Sequence, residues 1–314
     1  SSQTILNDNS QNLKSSPNRQ FVSDVLDIKL PISNDRYISI VSTNNYNYHP
    51  QELSLYSGEM QRLNYSSFYS NTTASFRHRL WRMYANHQIG FQGMFQSLKS
   101  TIGDVTSISK QRYERYMPYI GTGLQFDNRT IHMEADVKMN LYNWQLEEHS
   151  LSRKKTEFSP DARLFLKYSV SATSDFSLNY RYSELFQDLR QVYDGNLFTS
   201  YRTIVNNSHT PETDGTHSLT LRYQYSQPIK GIFFMLSALG STTHRHSAYV
   251  TTLQPESGIL VRTKKDADYD SEMYLVNGRF SKSFGWWKSL LGVYGSYMKS
   301  FDAQYSGNEL QDYD

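Results

Sequence analysis

The chain has 314 residues, a formal net charge of +2 and no cysteine, which leaves no global field toward nucleic acid or an acidic substrate and excludes disulfides, thiol catalysis and cysteine-type zinc sites. Twenty-five tyrosines and 16 phenylalanines in a chain of mean hydropathy −0.65 suit strands set in polar connections. No run of 18 apolar residues occurs, so no membrane-crossing helix is expected, although a β-barrel would not show one because alternation dilutes its hydrophobicity.

Residues 1–20 are polar and without period, and read as a loop or disordered end. The chain opens Ser-Ser with no signal peptide and stops inside a polar segment, so both ends read as cut. From residue 21 onward the sequence alternates. Leu26, Ile28 and Leu30 face Asp27 and Lys29; after a Pro31–Asp35 turn, Ile38 and Ile40 alternate with serines. A polar, tyrosine-rich stretch follows to about Gln61, then a weaker strand over Tyr65–Leu80. A break at Trp81–Tyr84 leads to Gln88–Leu98, with Ile89, Phe91 and Phe95 on one face. Thr101–Met117 is polar, and Tyr119–Phe126 is strand.

The stretch Thr130–Gln145 carries the clearest pattern. Ile131, Met133, Ala135, Val137, Met139 and Leu141 share one side; His132, Glu134, Asp136, Lys138 and Asn140 share the other. This is a strand with one greasy and one charged face, about twice the usual length. After a charged loop at His149–Pro160, Leu164, Leu166, Tyr168 and Val170 alternate with polar residues, as do Phe176, Leu178, Tyr180 and Tyr182. The longest irregular stretch runs from about Glu184 to Gly215. Within it Ser183–Tyr193 suits a short helix capped by Ser183 and ended by Gly195. Leu219, Leu221, Tyr223 and Tyr225 alternate next, and Gly231–Val250 is a long strand. Thr251–Tyr269 reads as a polar loop, and Met273–Ser283 and Leu290–Met298 form a last pair.

The rhythm is about twelve strands in six pairs, with turns of about three to five residues within pairs and connections of about a dozen to thirty between them. Short turns at one rim and long loops at the other mark a transmembrane barrel. The expected fold is all-β, an antiparallel up-and-down transmembrane β-barrel segment over 21–314. Ile131, Met133, Val137, Leu219, Leu221 and Tyr223 would face lipid, but a soluble barrel would turn the same residues inward. Strand length and loop rhythm favour the membrane.

Three stretches carry a resemblance: FVSDVLDIKLPISNDRYISIVSTNNYNY at Phe21–Tyr48, HSLTLRYQYSQPIKGIFF at His217–Phe234, and NGRFSKSFGWWKSLLGVYGSY at Asn277–Tyr297. With its hairpin rhythm, the chain resembles the barrel part of TonB-dependent outer-membrane receptors, in the form common in Bacteroidetes. The resemblance implies a 22-stranded parent barrel in the Gram-negative outer membrane, contact with outer-membrane lipid, and a plug, not seen in this sequence, that contacts the TonB complex. It implies energy-coupled import of a scarce small nutrient such as a chelate, oligosaccharide or peptide. No enzyme activity and no cofactor are expected. The rivals are a self-contained 12-stranded pore or membrane enzyme, and a soluble or surface β-rich adhesin or carbohydrate-binding module.

Candidate sites follow from this frame. The long loop offers Phe186, Tyr193, Phe198, Tyr201 and Arg202, aromatic faces with a guanidinium that suit stacking on a ligand. The competing reading is a cover packed on its neighbours. Trp81, Trp286 and Trp287 lie at short turns and read as a periplasmic aromatic girdle. His244-Arg245-His246 places two imidazoles where they could share a metal, but the sequence offers no third ligand, so no metal site is assigned. Glu134, Asp136 and Lys138, near Arg163 and Lys167, read as a lumen charge ladder rather than a catalytic pair. No phosphate loop, nucleophile elbow or nucleic-acid-binding patch is present.

Overall fold

The structure, a computed structural model, describes residues 13–15, 19–54, 60–103, 107–148, 151–200, 202–207, 211–255, 258–286, 288–306 and 309–313. The strands are β1 (Leu13–Ser15), β2 (Gln20–Ser33), β3 (Arg36–Ser54), β4 (Met60–Leu80), β5 (Met83–Ile102), β6 (Ser107–Asp127), β7 (Ile131–Glu148) and β8 (Leu151–Ser171). They continue as β9 (Ser174–Phe186), β10 (Asn196–Ser200), β11 (Thr203–Asn206), β12 (Thr213–Gln227), β13 (Ile232–Gln254), β14 (Ile259–Phe284), β15 (Ser289–Ser306) and β16 (Glu309–Tyr313). All 16 lie in one sheet. Setting aside the four short strands β1, β10, β11 and β16 leaves twelve, of 13 to 26 residues, in six antiparallel hairpins. This is the up-and-down arrangement expected from the alternation. β1 falls in the polar stretch 1–20, where Leu13 pairs with Leu53.

One expectation is corrected. Asn44–Gln61, Thr101–Met117, His149–Pro160 and Thr251–Tyr269 are mostly strand, not loop. Only 187–212 is a long connection; elsewhere β3 ends at Ser54 and β4 starts at Met60, β7 ends at Glu148 and β8 starts at Leu151. The strands outrun the roughly ten residues that cross a bilayer, and the excess continues beyond it. The short helix is also displaced. It is α1 (Leu189–Val192), capped by Asp188, whose carboxylate accepts from Arg190 N at 2.9 Å and Gln191 N at 3.1 Å. Ser183 lies in β9, and Gly195 lies past the extended C-cap Tyr193.

Register fixes which residues share a face. Following cross-strand partners from β4 to β15 gives the row Leu80, Met83, Phe126, Met133, Leu166, Leu178, Leu221, Ala238, Val276 and Tyr297. No member is charged. On the opposite face, Tyr37, Arg77, Asn86, Gly123, Asp136, Arg163, Arg181, Ser218 and Ser241 form another row. A slip of one residue would exchange the two rows. Leu189, Val192, Tyr193 and Leu197, between β9 and β12, pack against the polar-row side, so that side is the inside. The uncharged face, which carries Ile131, Met133, Val137, Leu219, Leu221 and Tyr223, is the side away from it. It is bare: Ile89 and Ile120 are 63% exposed and Val137 is 49% exposed.

Farther from the short turns the two faces exchange character. In β7 the inward residues run His132, Glu134, Asp136, Lys138 and Asn140, then Tyr142, Trp144 and Leu146, the last three all buried. The outward residues change the other way, from Met139 and Leu141 to Asn143, Gln145 and Glu147. β6 repeats the exchange: outward Leu124, Ile120 and Pro118 give way to Glu114 and Arg112, while inward Tyr113 is fully buried. β6 and β7 are thus inside-out near their turn and conventional beyond it. The buried cluster of Tyr65, Leu98, Tyr113, Tyr142, Trp144 and Leu146 sits in the conventional half, with Leu189, Val192, Tyr193 and Leu197 packed into it.

The sheet has two free edges. β2 is exposed along its whole length, and β15 pairs with β14 over Ser289–Phe301 with, among the described residues, no strand on its other side there. Among the described residues β2 and β15 do not pair with each other.

Candidate functional site

The segment between β9 and β12 folds inward, held by three glutamines on the inner wall. From β5, Gln96 donates to the Tyr65 hydroxyl at 2.7 Å and its Oε1 accepts from Leu189 N at 2.8 Å. From β6, Gln111 takes both ends of one residue: Asp194 N donates to its Oε1 at 3.2 Å, and its Nε2 donates to Asp194 O at 3.5 Å. From β4, the Gln61 Oε1 accepts from Phe198 N at 3.0 Å and its Nε2 donates to Asn196 O at 3.0 Å. Gln61 and Gln111 have no exposed surface and Gln96 has 6%. An irregular segment leaves backbone groups without ladder partners, and a primary amide, donor and acceptor in one plane, replaces a ladder rung. On the far side β11 pairs in parallel with β14, Thr203 to Leu260 through Asn206 to Thr263. The segment therefore crosses the inner side of the sheet from β4–β6 to β14.

This places the residues singled out from sequence. Tyr193 is fully buried, its hydroxyl donating to Ser109 O at 3.3 Å, and burial raises its pKa. It has no free face for stacking. Phe186 lies with its ring centre 4.2 Å from that of Tyr142 and 5.1 Å from the Arg115 guanidinium carbon. Those contacts are structural, within the wall. Phe198 is half-buried on β10, and Arg202 is exposed at the β10–β11 turn with its carbonyl accepting from Leu260 N at 2.7 Å. Tyr201 lies outside the described residues. The structure brings Phe186 and Tyr193 into one packed cluster and leaves Phe198 and Arg202 apart from it.

A polar cavity of about 250 Å³ opens beside the docked segment, lined by Gln187, Asp214, Arg245, Tyr249, Arg262 and Lys264 among others. One register shift builds it. Between Arg245 and Ser247 of β13 the register against β14 shifts, so Tyr249 pairs with Lys264 and Thr251 with Arg262 on the inner face. Lys264 is 9% exposed, and burial lowers its pKa below 10.5, against the opposing pull of Asp214 and Glu212. Arg245 reaches Asp214 at 3.7 Å while its Nε is buried without a partner, and so is the Oε1 of Gln187. Arg262 stacks over Tyr249 at 4.6 Å. Three cations face two carboxylates, Asp214 and Asp302, in this lining. A buried ammonium and unpaired polar atoms in a cleft are costly unless something uses them.

Sequence reasoning missed this site. Gln61, Gln96 and Gln111 each sit two positions from a buried inward residue, Leu63 excepted, which is partly buried. That parity was a signal, but only once the exchange of faces is known. Lys264 and Arg262 lay in a stretch read as loop. Elsewhere on the inner wall the charge ladder is present: Glu134 lies 3.1 Å from His132 and 4.0 Å from Arg163, and Arg181 lies 3.6 Å from Asp161. Trp81 and Trp286 are 80% and 74% exposed at short turns, and Trp287 lies outside the described residues.

No protein-family model matches the sequence, and no curated protein matches it. Solved structures do match. A copper transporter, OprC, superposes with a TM-score of 0.64 at 8% identity, over 90% of this chain and 46% of that one. The unliganded ferric citrate transporter FecA gives 0.59 at 10% identity, over 90% and 42%. The ferric yersiniabactin uptake receptor FyuA from Yersinia pestis gives 0.58 at 10% identity, over 90% and 42%. The chain spans less than half the length of each, and the likeness shows its fold: a segment of an antiparallel up-and-down β-barrel wall.

Proposed function

We propose that this chain is part of the barrel wall of an outer-membrane receptor that imports a scarce small nutrient with TonB-coupled energy, of the type common in Bacteroidetes. The observation that carries the reading is the uncharged row from Leu80 to Tyr297, on the side away from the docked segment. A soluble sheet would cover such a face; a bilayer covers it with acyl chains. The free edges of β2 and β15 fit a wall that other strands complete, because an exposed edge invites pairing. Trp81 and Trp286 anchor the rim of the short turns as an interfacial girdle.

The ligand-contacting region is the inner surface around the docked segment. Phe198 and Arg202 supply one side and the Lys264 cavity the other, and the excess of cations there favours a solute with an anionic group. Phe186 and Tyr193 hold the segment in place. The test takes the intact protein. It should sediment with outer membranes and resist a carbonate wash; recovery in the soluble fraction overturns the reading. Replacing Leu189–Thr210 by a short Gly-Ser linker should leave surface expression and abolish uptake. Full uptake by that variant would move the site elsewhere.

A further inference from the structure

The bulge that builds the inner cavity has an outer side. From Arg245 to Ser247, β13 advances two residues while β14 advances three, from Tyr269 to Asp266. Arg245 and Tyr269 line the inner cavity, so His244 and Asp270, paired in register, face outward. The extra residue in β14 brings Asp268 level with His246. The His246 Nδ1 lies 2.8 Å from Asp268 Oδ1, and the His244 Nδ1 lies 2.9 Å from Asp270 Oδ1. The two imidazoles meet edge to face, 4.8 Å between centres at 88°. One ligand atom from each of His244, His246 and Asp268 lies within 4.8 Å of the others. The third ligand that the sequence could not supply comes from the neighbouring strand, through the bulge.

The cluster is wet. The side chains of His244, His246, Asp268 and Asp270 are 51%, 37%, 77% and 60% exposed. His244 lies about thirteen residues past the Gly231 turn, beyond the roughly ten that cross a bilayer. It therefore sits on the outer wall above the uncharged belt, away from the inner cavity and from any path through the barrel.

We propose that His244, His246 and Asp268 form a surface site for a divalent transition-metal ion, Zn²⁺ or Cu²⁺, with water completing the coordination. Two imidazole nitrogens and one carboxylate oxygen are the donors that borderline ions prefer, whereas Mg²⁺ and Ca²⁺ take oxygen alone. Bonds of about 2.0–2.2 Å bring tetrahedral ligand atoms to about 3.4 Å from one another. The exposed side chains have to close by about 1.4 Å at most to reach that. Asp270 on the Nδ1 of His244 is a positioning residue. It holds the ring so that Nε2 is offered outward, the relation that carboxylates bear to metal-bound histidines.

The experiment uses the full-length protein, untagged and stripped with chelator, in detergent micelles. Cu²⁺ is titrated and followed by electron paramagnetic resonance, and Zn²⁺ is followed by calorimetry. The expected result is one saturable ion per chain, with hyperfine splitting from two nitrogens in the Cu²⁺ spectrum. His244→Gln with His246→Gln should remove the splitting and the saturable phase. Asp270→Asn should weaken binding about 10- to 100-fold while both nitrogens remain. Heat-modifiable migration in gels checks that each variant is folded. Absence of saturable binding in the wild type, or an unchanged spectrum in the double variant, overturns the proposal. Neither outcome touches the import reading, which rests on the uncharged belt nearer the short turns and on none of these four residues.

Discussion

The two halves of β6 and β7 solve opposite problems with one backbone. Near the short turns, β7 offers Met133, Val137 and Met139 outward and His132, Glu134, Asp136 and Lys138 inward. Beyond Leu141 it buries Tyr142, Trp144 and Leu146 and sends Asn143, Gln145 and Glu147 outward. Period two is unbroken across the exchange, so the difference lies in the solvent outside. Where acyl chains surround the wall, apolar residues go out and the wet lumen takes the charges. Where water surrounds it, the hydrophobic effect reverts to its usual direction and needs an internal partner. The docked 187–212 segment is that partner.

The largest expected effect tests the inner core of the far half. Tyr113 is fully buried and its hydroxyl meets that of Tyr142 at 2.6 Å. Tyr113→Ala should cost about 3–5 kcal/mol, the range for a buried aromatic truncated to a cavity. Ile120 lies on the same strand, outward and 63% exposed. Ile120→Ala should cost about 1 kcal/mol or less, because acyl chains fill the space and no cavity forms. Hydrogen exchange on the intact protein should show the first loss confined to the far half and docked segment. Equal losses at both positions would erase the distinction between the halves.

Next in size is a charge placed in the near half. Val137→Arg sets a cation against lipid, at about 2–4 kcal/mol if it lies near mid-depth. Lys138→Gln, one residue on and inward, should change stability by less than about 1 kcal/mol. A barrel-folding titration in urea checks the pair, and similar shifts would mean that the faces are exchanged. Smaller again is the loosening of one clamp. Gln61→Ala strips a backbone donor and acceptor of their partners, which costs about 1–3 kcal/mol where no water reaches them. Limited proteolysis should then open the segment near Asn196–Phe198 first; cleavage no faster than in the wild type would show that the clamp holds nothing.

The near half was legible because its pattern is redundant. Alternation, strand length and one uncharged parity all agree in Thr130–Leu141, and the turn residues Asp127-Asn128 and Gln227–Lys230 mark the hairpins. The far half was read as loop because its apolar residues sit on the other parity and are diluted by serine, glutamine and charge. A reader following one face sees the pattern vanish at Leu141, when it has only crossed over. The candidate site was less legible still. Gln111 meets Asp194 across 83 residues of sequence and Gln61 meets Phe198 across 137. Nothing local to either partner announces such contacts. The helix cap was misplaced for a simpler reason: Ser183 and Asp188 are both good caps, and β9 extends through the first of them.

The smallest expected effect, and the one that separates the inner cavity from the rest of the wall, is a pH dependence. Burial disfavours the charged form of Lys264, so its pKa in the folded protein lies below 10.5. In the unfolded chain the same lysine keeps its ordinary value. Between the two values the unfolded state binds more protons, so stability rises with pH there. Ligand binding runs the other way. A bound anion is held by the ammonium, and raising the pH through the lowered pKa removes that charge while exposed lysines keep theirs. The affinity of an anionic solute should therefore decline at a pH where a surface lysine would still be charged. Lys264→Met removes the titrating group and keeps most of its volume. It should weaken binding at neutral pH, flatten the alkaline limb and raise thermal stability slightly, because a desolvated charge is gone. Arg262→Lys keeps the charge in the cavity but loses the guanidinium that stacks on Tyr249, so it should weaken binding at every pH without moving the limb. An alkaline limb that survives in Lys264→Met would assign the titration to another group and leave the cavity a structural gap between the docked segment and the wall.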